Sequence, residues 1–427
     1  MSNTTVISLR QPDAIDDPLT AVLRNGARRL LAQAIEAEAE AFLDAMKDTR
    51  LADGRERLVR HGHGPERLVQ TGIGPVAVQR VKLRDRGAEA GSEGEAGADR
   101  IRFTSTILPR WARRTRSLDA LLPVLYLRGV STGDFQEALG ALLGKDAPNL
   151  SPAVIARLKG EWDADYARWQ RRDLSARRYV YVWADGVYLQ ARMEPQAECM
   201  LVLIGATPEG KKELVGFQVG VRESAQSWRE LLIGLKARGL VIAPELATGD
   251  GALGFWKALE EVFPTTRHQR CWMHKVSNVL NKLPKSVQPA AKQDLREIWQ
   301  APDRATAESA LATFAEKYAA KYERAVTCLV KDRDALLTFY DFPAEHWDHL
   351  RTSNPIESVF ATVRHRTVRT KGALSQDTAR LMVFKLVLAA AKTWRRLKGE
   401  NQLPKVIQGI TFKNGVEVIN TPAQSAA

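Results

Sequence analysis

The sequence predicts an α/β fold, a mixed sheet covered by helices and preceded by a mixed helical and β-hairpin region. Three observations carry this reading. Residues 179–221 hold three consecutive β-rich apolar runs, an alternating helix and strand pattern follows to residue 269, and residues 285–350 read as helix throughout. A chain of 427 residues has room for about three domains at ~150 residues each. Its 44% hydrophobic and 26% charged residues are those of an ordinary globular chain and exclude disorder throughout.

Residues 1–16 are polar and without period, which predicts a disordered tail. Asp17 and Pro18 read as N-cap and first helical residue. Leu19, Val22, Leu23, Leu30, Leu31, Ala34 and Phe42 then predict a long amphipathic helix to about Met46, weakened at Gly26. Leu58 to Leu83 carries short alternating runs broken at Gly62, Gly64, Gly72 and Gly74, a small β-hairpin region. With the helix it forms an N-terminal domain over 17–110. Within it the stretch 87–99 (GAEAGSEGEAGAD) lacks any large apolar residue and predicts a flexible loop.

Residues 111–176 predict a helical, helix-turn-helix-like domain. Ser117 opens a helix with Leu118, Leu121, Leu122 and Leu125 that Gly129 stops and Pro123 kinks. Ser131 with Asp134 resembles a capping box, and Ser151 with Pro152 opens a third helix. The connection 144–150 is longer than the usual helix-turn-helix turn, so a bundle that only packs stays open. Arg110, Arg113, Arg114 and Arg116 just upstream favour DNA binding.

Strands are predicted at 179–193, 198–206 and 213–221. A helix over 224–238, a short strand ending near Thr248, a helix from about Ala252 to Val262 and a strand from Thr265 to Gln269 follow. Three strands and then an αβαβ run describe a mixed sheet, the strand order expected of a ribonuclease-H-like core. Its first part spans 177–284. The helical run 285–350 intervenes, 351–400 complete the core, and 401–427 read as a C-terminal tail.

Lys and Arg number 63 against 50 Asp and Glu, a net +13 with a sequence pI near 9.7, which makes nucleic acid the first partner to test. The surplus is concentrated. Residues 285–350 hold 9 basic and 11 acidic side chains, whereas 351–405 hold 12 basic and 3 acidic. The apolar stretch from Leu381 to Ala391 is interrupted by Lys385, so no membrane span is expected, and no basic-then-apolar leader is seen. Cys199, Cys271 and Cys328 form an odd, widely spaced set that fits a reduced compartment. The cytoplasm is the expected location.

Three carboxylates stand out by context. Asp185 ends the apolar run YVYVWA and precedes Gly186, where a carboxylate at the sheet costs free energy unless a cation or donors satisfy it. Asp250 lies in Thr-Gly-Asp-Gly after the fourth strand. Glu357 lies in Asn-Pro-Ile-Glu at a helix start. Phosphodiester chemistry by two metal ions needs such a set, because hard carboxylate oxygens hold Mg²⁺ ions ~3.5–4 Å apart. Each also has a structural reading: an Asp before Gly is commonly a turn residue, and Asn354 as N-cap would make Glu357 a capping-box residue at N3. Cys271 and His274 are one helical turn apart, with His268 three residues earlier. Zinc is not expected there, since a tetrahedral site wants four ligands and no partner pair is evident.

Asp185-Gly-Val-Tyr, Gly249-Asp250-Gly-Ala-Leu-Gly, Cys271-Trp-Met-His274 and Asn354-Pro-Ile-Glu357 followed by a basic helix resemble the Mutator-type bacterial insertion-sequence transposases, a DDE class. The resemblance also covers the long N-terminal helix, the Thr71-Gly72-Ile-Gly74 hairpin, the stretch from Phe103 to Arg116 and Leu127-Arg-Gly-Val-Ser-Thr132, and so spans roughly residues 20 to 400. It implies a ribonuclease-H-like catalytic domain interrupted by an all-helical insertion, with Asp185, Asp250 and Glu357 as the metal-binding catalytic triad. It implies Mg²⁺, with Mn²⁺ able to substitute. It further implies binding of the element's terminal inverted repeats, cleavage, joining of the 3′-hydroxyl to double-stranded target DNA, and circular intermediates of the element. By analogy, pairing two DNA ends implies a homodimer or larger assembly on DNA, associated with the nucleoid. The sequence departs from the family pattern at 87–99 and at His61-Gly-His63-Gly, where aromatic residues are commoner. The family allows Asp at the position of Cys271, so a packing role near the site is expected for Cys271 and His274.

After Glu357, Arg364, Arg366, Arg369 and Lys371 read either as a solvated helix face or, beside a metal site, as phosphate contacts. Trp256, Trp272 and Trp347 read as core residues or as platforms for unpaired bases. A tyrosine recombinase is excluded because the last tyrosine is Tyr340, upstream of the basic cluster. An inactive or domesticated transposase that only binds DNA, and a ribonuclease-H-like nuclease without joining activity, remain the alternatives.

Overall fold

A computed structural model describes residues 18–89, 101–115, 152–189, 198–220, 223–251, 253–357 and 376–419, with isolated positions at 117, 118, 121, 125, 360, 361 and 363. The predicted tail 1–16, most of the loop 87–99 and all but those isolated positions of the helices predicted over 117–150 lie outside the described residues. The chain divides into two compact units, residues 1–158 and 159–427.

In the first unit α1 (Pro18–Ala45) runs on through Gly26. The hairpin region forms β1 (Leu58–His63), β2 (Arg67–Thr71), β3 (Gly74–Val78) and β4 (Val81–Asp85), with β2 antiparallel to β3 and β1 antiparallel to β4. Thr71 faces Gly74 across a two-residue turn. Gly74 has φ +95°, and a Cβ there would strike the guanidinium of Arg24, whose Nε donates to Ile73 O at 2.6 Å. Glycine is therefore required at this turn. Ile35 and Ala39 from α1 pack against Val69, Val76, Val78 and Val81 from the strands and against Leu108. The loop predicted from residue 87 opens with a 3₁₀ turn, Arg86–Glu89. Before it, the buried Asp85 accepts from Arg57 at 2.9 Å and from the backbone N–H of Gly87 and Ile101, each at 2.9 Å, tying down both sides of that segment.

The second unit is mixed α/β. After α2 (Pro152–Gln170) come β5 (Tyr181–Leu189), β6 (Glu198–Ala206), β7 (Lys212–Gly220), α3 (Ala225–Ala237), β8 (Leu246–Gly249), α4 (Leu253–Val262), β9 (Arg267–Arg270) and α5 (Trp272–Leu280). The five strands form one sheet in the order β7-β6-β5-β8-β9. β5, β6 and β7 run antiparallel, and β8 and β9 add in parallel. Alternation assigns the faces. Val182, Ala184, Leu201 and Leu203 join Trp228, Leu232, Phe255 and Leu259 from α3 and α4 in one core. Tyr181 and Trp183 point the other way, toward the helical run: Tyr181 bonds His346 Nδ1 at 2.8 Å, and Trp183 Nε1 donates to His349 O at 2.9 Å.

Residues 285–350 are helical: α6 (Gln288–Trp299), α7 (Arg304–Val330, kinked at Tyr322), α8 (Arg333–Leu337), two 3₁₀ turns and α9 (Trp347–Leu350). α10 (Gln376–Ala391) packs on β7. The expectation of a tail from residue 401 is corrected. α11 (Leu403–Ile407) and a hairpin of β10 (Phe412–Lys413) and β11 (Val416–Glu417) bury Leu403, Val406 and Phe412. Gly415 closes against the 3₁₀ segment, its N–H donating to Tyr340 O at 3.1 Å while its carbonyl accepts from Ala344. Three apolar side chains spaced along a polar stretch suffice when the helical run supplies the other wall. Among the described residues no helix is long and apolar enough to cross a membrane.

Candidate active site

Strand register builds the site. Ala184 on β5 pairs with Gly249 on β8, and Gly249 pairs with Arg270 on β9. The next residues, Asp185, Asp250 and Cys271, therefore form a second row across the sheet. Cys271 N donates to Gly249 O at 2.8 Å and holds that row together. Cys271 is also the N-cap of α5, which places His274 in its first turn. The segment after α9 is brought alongside by Trp272 N donating to Arg351 O at 2.9 Å, and it leads into the helical turn 354–357 that carries Glu357. Asp185, Asp250, Cys271, His274 and Glu357 thus converge from four separate segments.

Asp185, Asp250 and His274 offer ligand atoms within 4.8 Å of one another, and so do Cys271, His274 and Glu357. His274 belongs to both groups, and its Nδ1 lies 3.9 Å from Glu357 Oε1. Asp185 is buried and accepts from the N–H of Gly186 at 2.8 Å. Burial pushes its carboxyl up to about 6, with Asp250 and Glu357 adding to the rise and His274 opposing it. Hydrogen bonding with the Cys271 sulfur, together with the charges of Asp185 and Asp250, outweighs burial and raises His274 to about 9. The surrounding carboxylates thus favour the protonated form of the imidazole.

Two features of this site were not legible in the sequence. Glu223, just before α3, is pushed up to about 7 by burial and then by Asp250 and Asp185. Its Oε1 accepts from Trp228 Nε1 at 3.1 Å, and a Cβ on Gly186 would lie 3.0 Å from its Oε2. The second is Ser353, fully buried, whose N–H and Oγ each lie 3.3 Å from Cys271 Sγ and whose hydroxyl donates to Glu357 Oε1 at 3.0 Å. Ser353, not Asn354, caps this helical turn, since its carbonyl accepts from Glu357 N at 3.1 Å. Glu357 accordingly does not stand at the capping-box position, and its carboxylate is engaged by a side chain. A serine next to Asn-Pro-Ile-Glu was the available signal.

The remaining sequence candidates separate. Arg110 and Arg113 are exposed and Arg114 half-buried, all in the first unit beside β2. Arg116, Arg364, Arg366, Arg369 and Lys371 lie outside the described residues. Trp256 and Trp272 are buried, and Trp347 is half-buried with its indole N–H donating to Phe342 O. His268 packs on Trp256, with ring centroids 4.7 Å apart, and takes no part in either ligand group.

Chemically, the arrangement suits a cation. Asp185 buries a carboxyl whose ionisation is disfavoured, with further carboxylates beside it, and a bound cation would relieve that cost. Oxygen donors of this kind favour hard divalent ions. The Cys271 sulfur is buried and already contacted by Ser353, so it is the least accessible member of the set.

Comparison with known proteins places the chain. The family model described as "Transposase, Mutator family" matches residues 2–396. The transposase for insertion sequence element IST2 of Acidithiobacillus ferrooxidans is 51% identical over 288 residues, 66% of this chain and 95% of that protein. The transposase for IS6120 of Mycolicibacterium smegmatis is 48% identical over 298 residues, 70% of this chain and 92% of that protein. The transposase for IS256 in transposon Tn4001 of Staphylococcus aureus is 25% identical over 296 residues, 68% of this chain and 75% of that protein.

Proposed function

The chain belongs to the Mutator family of transposases, and from that premise we propose that it is a DDE-type enzyme that cleaves and joins DNA at the ends of an insertion sequence. Asp185, Asp250 and Glu357 are its metal-holding triad, on a ribonuclease-H-like core whose helical run 285–350 is an insertion between the second Asp and the Glu. The observation that supports this most is the register Ala184–Gly249–Arg270, which sets Asp185 on β5 beside Asp250 just past the end of the parallel β8, with His274 shared between this pair and Glu357.

Mg²⁺, or Mn²⁺ in its place, would supply charge stabilisation of the attacking and leaving oxygens of the phosphodiester. The chain's own residues do the rest. Asp185 is fixed by the sheet, with its carboxylate held at Oδ1 by Gly186 N–H. Glu357 is oriented by Ser353, and His274 lies beside it, with Nδ1 3.9 Å from Glu357 Oε1. The substrates are the terminal inverted repeats and a double-stranded target. Pairing two ends requires at least a dimer, and the protein acts where it meets the chromosome, in the bacterial cytoplasm.

The test uses duplex DNA carrying an element end, incubated with Mg²⁺ or Mn²⁺. Wild type is expected to nick and join it. Asp185→Asn, Asp250→Asn and Glu357→Gln are expected to bind with unchanged affinity and not to cut. Equal nicking by all four proteins would overturn the assignment, and hydrolysis without joined product would identify a nuclease.

A further inference from the structure

The chain has ten tryptophans, and nine of them are buried or half-buried. Trp111 is 82% exposed. Solvent exposure of an indole is unusual, since this side chain is among the most buried on average. Its backbone is not loose. Ala112 N donates to Pro109 O at 3.0 Å, closing a turn with Trp111 at its tip. Arg67 on β2 donates from Nη2 to Pro109 O at 2.8 Å and from Nη1 to Arg110 O. Beyond the turn, Gln70 N donates to Arg113 O and Thr115 N to Gln70 O, each at 2.9 Å, and Leu108 is buried just before it. The indole is thus presented on a framework anchored to the sheet at both ends.

The surroundings state the charge of what it meets. Residues 101–115 carry Arg102, Arg110, Arg113 and Arg114 and no acidic residue. The Arg110 guanidinium lies 5.4 Å from the Trp111 ring centroid. Arg80 is close enough to Arg67 to disfavour its charge, in addition to the effect of burial. Exposed Arg and one projecting aromatic ring suit a polyanion with flat apolar groups inside it: arginines hold phosphates, and an indole stacks on a base or wedges a base step.

We propose that the turn 109–112 is a DNA-contacting wedge in which Trp111 stacks on a base at an opened or distorted point of the duplex while Arg110 and Arg113 hold the flanking phosphates. This rests on the reading of the chain as a DNA-binding transposase. The anchored turn presents the ring with little ordering left to be done on binding.

The experiment measures binding of the full chain to a short random-sequence duplex and to the same duplex carrying one unpaired 2-aminopurine, over a range of salt. Wild type is expected to bind both, the unpaired duplex more tightly, and to quench the 2-aminopurine. Trp111→Ala should lose about tenfold in affinity for the unpaired duplex, as expected for loss of one base–aromatic stack. It should also lose the quenching and keep its salt dependence, and Trp111→Phe should retain most of both. Arg113→Gln should instead reduce the slope of log affinity against log salt by about 0.9. Matched thermal melts separate these effects from misfolding, to which an exposed side chain contributes little. Unchanged affinity and quenching in Trp111→Ala would overturn the proposal. Failure of the wild type to bind either duplex would instead overturn the reading of the chain as a DNA-binding protein.

Discussion

The hydroxyl of Ser353 donates to Oε1 of Glu357 at 3.0 Å and stands 3.4 Å from Nδ1 of His274. With His274 protonated, one sense of donation satisfies the row: imidazolium N–H to Ser353 Oγ, and Ser353 O–H to the carboxylate. The serine backbone N–H is directed at Cys271 Sγ. Glu357 is therefore held through a fully buried residue that also contacts the N-cap of α5.

Removing that hydroxyl isolates its contribution. A hydrogen bond to a charged group is worth about 1.5–3 kcal/mol, and the loss falls on the orientation of one carboxylate. Ser353→Ala is expected to lower the cleavage rate at least tenfold and to raise the Mg²⁺ concentration needed for half-maximal cleavage, with DNA affinity unchanged. A wild-type rate and metal dependence in this variant would show that Glu357 is positioned without it.

Asp185 predicts opposite signs for stability and activity. Its folded-state carboxyl lies near 6 against an ordinary 3.8. The folded chain therefore binds the proton more tightly, and the contribution of Asp185 to stability falls as pH rises from about 4 to 6 and then levels off. At ~1.4 kcal/mol per pH unit the ionised group costs on the order of 3 kcal/mol at neutral pH. Asp185→Asn should raise the melting temperature in EDTA by several degrees while abolishing cleavage. Adding Mg²⁺ should stabilise wild type and leave Asp185→Asn nearly unmoved. A melting temperature below that of wild type in EDTA would contradict the electrostatic account.

His274 carries the reverse slope. Its folded-state value, about 9, exceeds the ordinary 6.5, so its stabilising contribution is complete below about pH 6.5 and is lost as pH rises through about 9. Urea unfolding of wild type should show stability declining across that window. His274→Gln should flatten the decline and leave the protein less stable at pH 6 than wild type. Parallel curves for the two proteins would remove His274 as the source.

The reach of the sequence follows from the range of the interactions. α1 was legible to within a residue or two because its apolar spacing is local, and the strand runs around 181–189, 198–206 and 212–220 because each is apolar along its own length. The order Asp, Asp, Glu singled out Asp185, Asp250 and Glu357, but not the pairing of Ala184 with Gly249 that makes the two Asp neighbours, nor the Trp272–Arg351 contact that brings the segment before Glu357 alongside. Contacts of that kind join residues far apart in sequence and have no local signature. Glu223 escaped for the same reason, since only the fold brings it toward Gly186. The packed segment 403–417 looked like a tail because its other wall belongs to residues 340–347.

Asp332 links the candidate site to the helical run. It follows α7 and accepts from Lys275 Nζ on α5 and, at 3.1 Å, from Arg270 Nη2 at the end of β9. Lys275 is 2% exposed, and it also donates to Cys328 O at 2.9 Å. Gly251, next to Asp250, leaves the space that the Arg270 guanidinium occupies, because a Cβ there would collide with it. One carboxylate thus clamps the strand and helix flanking Cys271 to the end of α7. Breaking a buried ion pair from one side costs about 3–5 kcal/mol, because the partner charge is left unpaired. Asp332→Ala should lose roughly 3 kcal/mol in urea unfolding, whereas Asp332→Ala combined with Lys275→Met should recover part of it by removing the stranded ammonium. Cleavage by the single variant, assayed well below its melting temperature, should fall as the row loses its support. An Asp332→Ala protein as stable as wild type would show that Lys275 is satisfied by Cys328 O alone.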